Sequence, residues 1–328
     1  MFFRCVNCGG NVIYSPEEKR MGCPYCGGRD CEKPVEVPDV TNCPNCGGEV
    51  KISEVTSASR CEYCGSYLIY DTRVNGDFKP HLIMPFKLGR EVVKNMMKKE
   101  FKKKTFAPDD FLSEVKLKTM EGEYVPFWMY NCQCHYEFFG KATKTRTWRT
   151  GNTEHTETSY FNVYRNLDAN FERIPVDASV KMEDGAMDLL EPYDYKQLET
   201  FQEKYMSGFL AERYNMSAEE LSPRADTKVK NDTEGLMKNT LNGYNTINPV
   251  NKEMKVDMQN CEYALLPVWT YHYAYKGKPY PFRINGQTGK IVGEVPISKR
   301  KVYLYSLTVF GIIVASGCLL NGILGAIV

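Results

Sequence analysis

The sequence predicts an α+β protein built from two tandem cysteine-rich units, an α+β body with two related antiparallel sheets, and a C-terminal transmembrane helix. Three observations carry that expectation. A set of four cysteines recurs after 38 residues, a Pro-x-Trp-x-Tyr core occurs twice in the middle of the chain, and the chain ends in a long uncharged apolar run. Composition agrees: 42% hydrophobic and 25% charged residues over 328 positions describe a folded chain of about two domains, so disorder is excluded as its main state. Lys and Arg number 42 against 41 Asp and Glu, which is not the basic excess of a typical nucleic-acid binder.

Cys5, Cys8, Cys23 and Cys26 recur as Cys43, Cys46, Cys61 and Cys64, and each set reads C-x2-C, fourteen residues, C-x2-C. Two thiolates two residues apart in a tight turn present two corners of a tetrahedron. A second such turn, brought alongside by a hairpin, supplies the other two. The strings Cys8-Gly9-Gly10, Cys26-Gly27-Gly28, Cys46-Gly47-Gly48 and Cys64-Gly65 put Gly where the turn needs positive φ, and Pro24 and Pro44 stiffen two of the turns. Asn11-Val12-Ile13-Tyr14 and Glu49-Val50-Lys51-Ile52 read as short strands. Thirteen cysteines would suggest disulfides in a secreted chain, but the opening MFFRCVNC shows no secretory leader, so thiolate-bound metal is the expectation.

Each unit therefore resembles a zinc ribbon of the transcription-factor-IIB type, the first over residues 1–36 and the second over 37–74, holding two structural Zn²⁺ between them. A closed four-thiolate site offers no coordination position to water, so these metals hold shape and do no chemistry. Cys31 belongs to neither set and reads as a spare ligand or a free surface thiol. Residues 1–79 hold nine Lys or Arg and eleven Asp or Glu. With two four-thiolate zincs the module carries a charge of about −6, which repels a phosphate backbone and favours protein recognition.

The body is expected over residues 75–300. Tyr124-Val125-Pro126-Phe127-Trp128-Met129-Tyr130 resembles Leu265-Leu266-Pro267-Val268-Trp269-Thr270-Tyr271, and each leads into an alternating aromatic run, His135-Tyr136-Glu137-Phe138-Phe139 and Tyr271-His272-Tyr273-Ala274-Tyr275. The second continues as a β-meander through a turn at Lys276-Gly277-Lys278-Pro279, a strand over 280–284, a turn at Asn285-Gly286 and a strand over 290–295. Helices are expected over 90–104 and over 195–214, the latter with Leu198, Phe201, Tyr205, Phe209 and Leu210 on one stripe.

Residues 302–328 contain no charged side chain. A helix of that length reaches about 40 Å, more than a hydrocarbon core of about 30 Å, and Asn321-Gly322 is expected to break or kink it. Tyr303 and Tyr305 stand where an interfacial belt would lie, and Lys299, Arg300 and Lys301 flank the span on the side that belongs in the cytoplasm. The expected location is thus the inner face of the cell membrane, a single-pass C-terminal anchor carrying a cytoplasmic body.

The strings Glu191-Pro192-Tyr193-Asp194, Gly208-Phe209-Leu210-Ala211-Glu212-Arg213-Tyr214, Leu266-Pro267-Val268-Trp269 and Asn285-Gly286-Gln287-Thr288-Gly289-Lys290, with the ribbons before them, give the chain a resemblance to the bacterial membrane-associated zinc-ribbon proteins. That likeness covers most of the chain. Some members are encoded beside phage-shock protein A and flotillin-like proteins, and the resemblance implies partners of those kinds in a membrane-stress complex.

Enzymatic constellations are not found. Asn285-Gly286-Gln287-Thr288-Gly289-Lys290 lacks the glycine spacing and the final hydroxyl of a phosphate loop, and neither G-x-S-x-G nor H-E-x-x-H occurs. Cys132, Cys134, His135 and His155 form the most tempting cluster. Strand alternation, however, sets Cys132 and Cys134 on one face and His135 on the other. The sequence thus predicts a membrane-anchored cytosolic adaptor or scaffold that binds partner proteins at the inner face of the membrane, with the lipid bilayer as a further partner and nucleic acid not expected. A membrane-tethered nucleic-acid or transcription regulator is the alternative, and an enzyme using the Cys132/Cys134/His135/His155 region is the second.

Overall fold

A computed structural model describes residues 1–36, 42–50 and 52–325, with side chains of the last helix through residue 317. The first cysteine unit consists of β1 (Phe2–Cys5), β2 (Ile13–Ser15), β3 (Arg20–Gly22) and β4 (Glu32–Val35); β2 and β3 form the hairpin between its cysteine pairs, and β4 returns antiparallel to β1. The second contributes the antiparallel pair β5 (Thr56–Arg60) and β6 (Tyr67–Ile69). Its expected strand over 49–52 is reduced to a bridge between Asn42 and Glu49, with Lys51 outside the described residues. The boundary drawn at residues 36 and 37 also falls beside residues outside the description.

The body adds β7 (Leu82–Ile83), α1 (Arg90–Phe101), α2 (Glu114–Leu117), β8 (Glu121–Thr150), β9 (Thr153–Asp177), α3 (Asp184–Leu190), β10 (Glu199–Thr200), β11 (Leu210–Glu212), α4 (Ala218–Thr240), β12 (Thr246–Tyr275), β13 (Lys278–Asn285), β14 (Ile291–Val292) and α5 (Lys299–Gly325). The expected pair of related sheets is corrected to a single ten-stranded mixed sheet, in which β8–β11 and β12–β7 run parallel and the other pairs antiparallel. The reason is that the two Pro-x-Trp strands pair with each other: Pro126 faces Leu265 and Pro267 faces Tyr124, so the repeat makes neighbours within one sheet.

The helix expected over 195–214 is also absent. Gly208 sits at φ +105°, where an added Cβ would lie 3.1 Å from the Cβ of Ile13, so the backbone there hugs the first cysteine unit and cannot continue as a helix. Phe201, Tyr205 and Phe209 are buried as the pattern required, but Tyr205 is carried on a 3₁₀ turn and Phe201 and Phe209 on the connecting segments just after β10 and just before β11. Phe209 stacks on Phe86 with centroids 3.9 Å apart, and Tyr124 and Trp269 meet Phe86 edge-on at 5.0 and 5.2 Å. Trp269 donates its indole N–H to Leu88 O, so this tryptophan is a core residue with its polar atom satisfied.

Neither cysteine unit stands apart from the body. Tyr14 packs edge-on against Tyr205 and donates its N–H to Ser207 O, while β5 pairs antiparallel with β11. The units also join each other: Ile69 N–H donates to Met1 O and Tyr67 N–H to Asn11 Oδ1.

β8 and β12 run 30 residues each, roughly 100 Å of extended chain, far longer than ordinary strands. With β9 they form a three-stranded arm. Cys132, Cys134, Tyr136 and Phe138 are buried on one face beneath α4, whose Leu221, Ala225, Val229, Thr233 and Met237 recur every four residues. α4 begins with a capping box in which Ser217 accepts from Glu220 N–H and Glu220 accepts from Ser217 N–H. β12 pairs with β8 only as far as Thr246–Thr143, so from residue 144 to 159 the arm is a two-stranded hairpin.

The expected transmembrane helix is not borne out. α5 forms, but among the described residues no helix is long and apolar enough to cross a membrane. The first turn of α5 is charged, and the helix is tied to the body: Lys301 lies 2.6 Å from Asp109, Tyr305 packs edge-on against Phe106, and Ser298 N–H donates to Phe106 O. The single-pass inner-membrane anchor and the location that rested on it are therefore withdrawn. α5 runs unbroken through Asn321-Gly322 to Gly325.

Candidate metal centres

Four turns of one design make the two centres. In each, the N–H of the first cysteine donates to the carbonyl five residues on, and a glycine four residues on donates back to the cysteine carbonyl: Cys5 with Gly10 and Gly9, Cys23 with Gly28 and Gly27, Cys43 with Gly48 and Gly47, Cys61 with Ser66 and Gly65. Those donating glycines, Gly9, Gly27, Gly47 and Gly65, lie at φ between +71° and +77°. A side chain there would be strained, which is why the sequence repeats Gly after each pair.

The turns bring Cys5, Cys8, Cys23 and Cys26 together, and Cys43, Cys46, Cys61 and Cys64 together, with all sulfurs of a set within 4.8 Å of one another. Cys5–Cys26 and Cys8–Cys23 are 3.6 and 3.5 Å apart, and Cys43–Cys64 and Cys46–Cys61 are each 3.7 Å apart. A tetrahedron with metal–sulfur bonds of about 2.3 Å has edges of about 3.8 Å, so both sets can close on one ion with little movement. Four thiolates suit a soft tetrahedral cation. All eight predicted ligands are thus placed in two sets of four.

The surroundings of the two sets differ. Burial opposes ionisation of Cys5, but N–H groups of Cys8 and Asn7 together with the Cys31 and Cys26 thiols outweigh it and bring Cys5 down to about 6. Cys64 is likewise brought down to about 6 against burial, by Ser66 and Asn45. Ser66 Oγ lies 3.3 Å from Cys64 Sγ, whereas no hydroxyl occupies the matching place in the first set, where the residue is Gly28. Cys31 is not a surface thiol: it is 7% exposed, with Sγ 3.4 Å from Cys5 Sγ.

The Cys132/Cys134/His135/His155 candidates do not converge. Cys132 and Cys134 are buried under α4, and burial pushes Cys132 up to about 11. His135 is on the open face, and His155 pairs with Trp148 near the hairpin tip, roughly 40 Å farther along the strand. His135 instead bridges two carboxylates, with Nδ1 2.6 Å from Asp168 and Nε2 3.2 Å from Glu137, and these hold it above the ordinary 6.5. A folded-state value above the unfolded one stabilises the fold below about pH 6.5 and loses that effect as pH rises through the folded value. NMR titration of the imidazole should give a midpoint above 6.5 that Asp168→Asn lowers; an unperturbed midpoint would rule out the bridge. Of the basic flank, Lys301 pairs with Asp109.

The chain is 38% identical over 312 residues to the uncharacterized protein YdjG of Bacillus subtilis (strain 168), an alignment covering 92% of this chain and 91% of that one. No family model and no solved structure matches it.

Proposed function

Since the chain belongs to the family of the Bacillus subtilis YdjG protein, we propose that this family consists of zinc-stabilised adaptors that use the long β-arm to bind partner proteins. The observation that carries the reading is the arm itself. Its open face presents Gln133, His135, Glu137, Phe139 and Lys141 across from Asn170, Asp168, Asn166, Tyr164 and Asn162, and β9 has no strand on its outer side among the described residues. Tyr160 and Tyr164 are 82% and 68% exposed, and Phe139 stacks on Tyr164 at 4.4 Å. Exposed tyrosines on a polar sheet with a free edge suit protein recognition by side-chain contact and strand addition.

The two four-thiolate sets hold zinc, and with all four positions taken the metal supports the scaffold. The family resemblance noted above suggests partners of the phage-shock protein A-like or flotillin-like kind. Substitution of the two exposed tyrosines of the arm's open face gives the test. Tyr160→Ser and Tyr164→Ser are introduced together, and wild-type and substituted chains are purified without nuclease for mass spectrometry and the 260/280 nm absorbance ratio. The expected result is a defined set of protein partners that the substituted chain loses while its zinc content and thermal unfolding stay the same. Salt-sensitive nucleic acid in place of proteins would favour the regulator reading, and partners retained after the substitutions would move recognition to another surface.

A further inference from the structure

The two metal centres are built on one plan, yet the first contains a fifth sulfur and the second does not. Cys31 sits at the start of the return strand β4, with its carbonyl accepting from Val6 N–H, which fixes it beside the first cysteine turn. Its Sγ is 3.4 Å from Cys5 Sγ, as close as the ligand pairs Cys8–Cys23 and Cys5–Cys26 at 3.5 and 3.6 Å. The side chain is 7% exposed and aimed at the centre.

Space for that sulfur comes from Gly28. A Cβ on Gly28 would lie 3.0 Å from Cys31 Sγ and 3.4 Å from Cys26 Sγ, so the glycine leaves a gap shared by those two sulfurs. In the second centre the residue 38 positions on is Ser66, whose side chain fills the gap and stands 3.3 Å from Cys64 Sγ. The residue 38 positions after Cys31 is Ile69, which brings no ligand atom. Of the four ligands of the first centre, Cys8 and Cys26 are exposed and Cys5 and Cys23 buried. The exposed pair is the one that alkylating or oxidising agents reach first.

We propose that Cys31 is a reserve fifth ligand of the first centre, able to take the coordination position of Cys8 or Cys26 when that exposed thiolate is lost, so that this centre keeps its metal where the second cannot. This inference rests on the zinc reading, and the same measurements separate the two. Zinc is counted by mass spectrometry of the purified full-length chain and its variants. The wild-type chain and Cys31→Ser are expected to hold about two zinc ions, and Cys46→Ser and Cys64→Ser about one. At least one of Cys8→Ser and Cys26→Ser should keep about two, falling to about one when Cys31→Ser is added.

A wild-type chain without zinc would sink the metal reading and this inference with it. Wild-type zinc retained, with Cys8→Ser and Cys26→Ser both reduced to one ion, would overturn the reserve ligand alone, as would retention that does not need Cys31. A second measurement requires no substitution. The zinc-loaded wild-type chain is labelled sparingly with N-ethylmaleimide, the labelled cysteine is identified by peptide mass, and zinc is counted. Label on Cys8 or Cys26 with both ions retained supports the inference; zinc lost in step with that label, as at Cys46 and Cys64, overturns it.

Discussion

Stripping the metal with a chelator under reducing conditions is expected to unfold both cysteine units and to loosen the edge of the body that they cover. The units cannot fold on apolar burial alone. Their strands are three to five residues long, and among the described residues the core of the second gathers Phe2, Val50, Leu68 and Tyr70 around Cys43 and Cys61, with Val35 and Ile52 partly buried against it. Four thiolates drawn within 4.8 Å repel one another unless a cation lies between them. Structural zinc in small units contributes on the order of 10 kcal/mol of binding free energy at neutral pH, and zinc held by these two thiol sets would supply it as folding free energy.

The effect spreads because the units are docked. Without the first, Tyr14 leaves Tyr205 and Ser207 loses Tyr14 N–H; without the second, β11 loses β5. Hydrogen exchange followed by peptide mass should show residues 1–36 and 42–73 losing protection on chelation, with partial loss over 201–212, while the centre of β8 and β12 stays protected. Replacing a buried ligand, Cys23→Ser or Cys61→Ser, should reproduce the loss for one unit at a time. Unchanged exchange after complete metal removal would show that the thiol sets are not what holds these units together.

How much of this was legible in the sequence depends on how local the signal is. The two four-cysteine sets were readable because each turn's geometry is set within six residues, and the glycines at positive φ sit where the spacing demanded them. The aromatic repeat was readable as strands but not as partners. Nothing local says that Trp128 will lie opposite Tyr263 in one sheet. The stripe over 195–214 marked residues that are buried, yet tertiary contact at Gly208 decided their backbone. α4 was overlooked although Ser217 and Glu220 carry the S-x-x-E signal of a capped helix start. Cys31 could not be assigned from spacing, because Cys5 comes beside it only when β4 returns along β1. The apolar tail was overread, since the charged first turn of α5 belongs to a docking contact with Asp109 and Phe106.

The arm's attachment gives the other large expected effect: Arg224→Met should destabilise the protein by about 3–5 kcal/mol. Arg224 extends from the second turn of α4 to Asp177 at the end of β9, with Nη1 2.7 Å from Asp177 Oδ1, 3.1 Å from Asp184, and Nη2 2.8 Å from Asp188. Asp177 is 1% exposed, so removing the guanidinium leaves a buried carboxylate beside two others. Burial already raises Asp177 above its ordinary value, with Arg224 pulling the other way. Without Arg224 the rise must be larger. A carboxyl whose folded-state value lies above its unfolded value favours the fold below the unfolded value, and that advantage is lost as pH rises through the folded value. The deficit of Arg224→Met should therefore be greatest at neutral pH and shrink toward pH 4. Asp177→Asn in the Arg224→Met background should recover most of it, because the uncompensated charge is gone. Urea unfolding at several pH values measures both effects. A deficit independent of pH, or one that Asp177→Asn leaves in place, would mean that Arg224 acts through its packing against α3 and not through its charge.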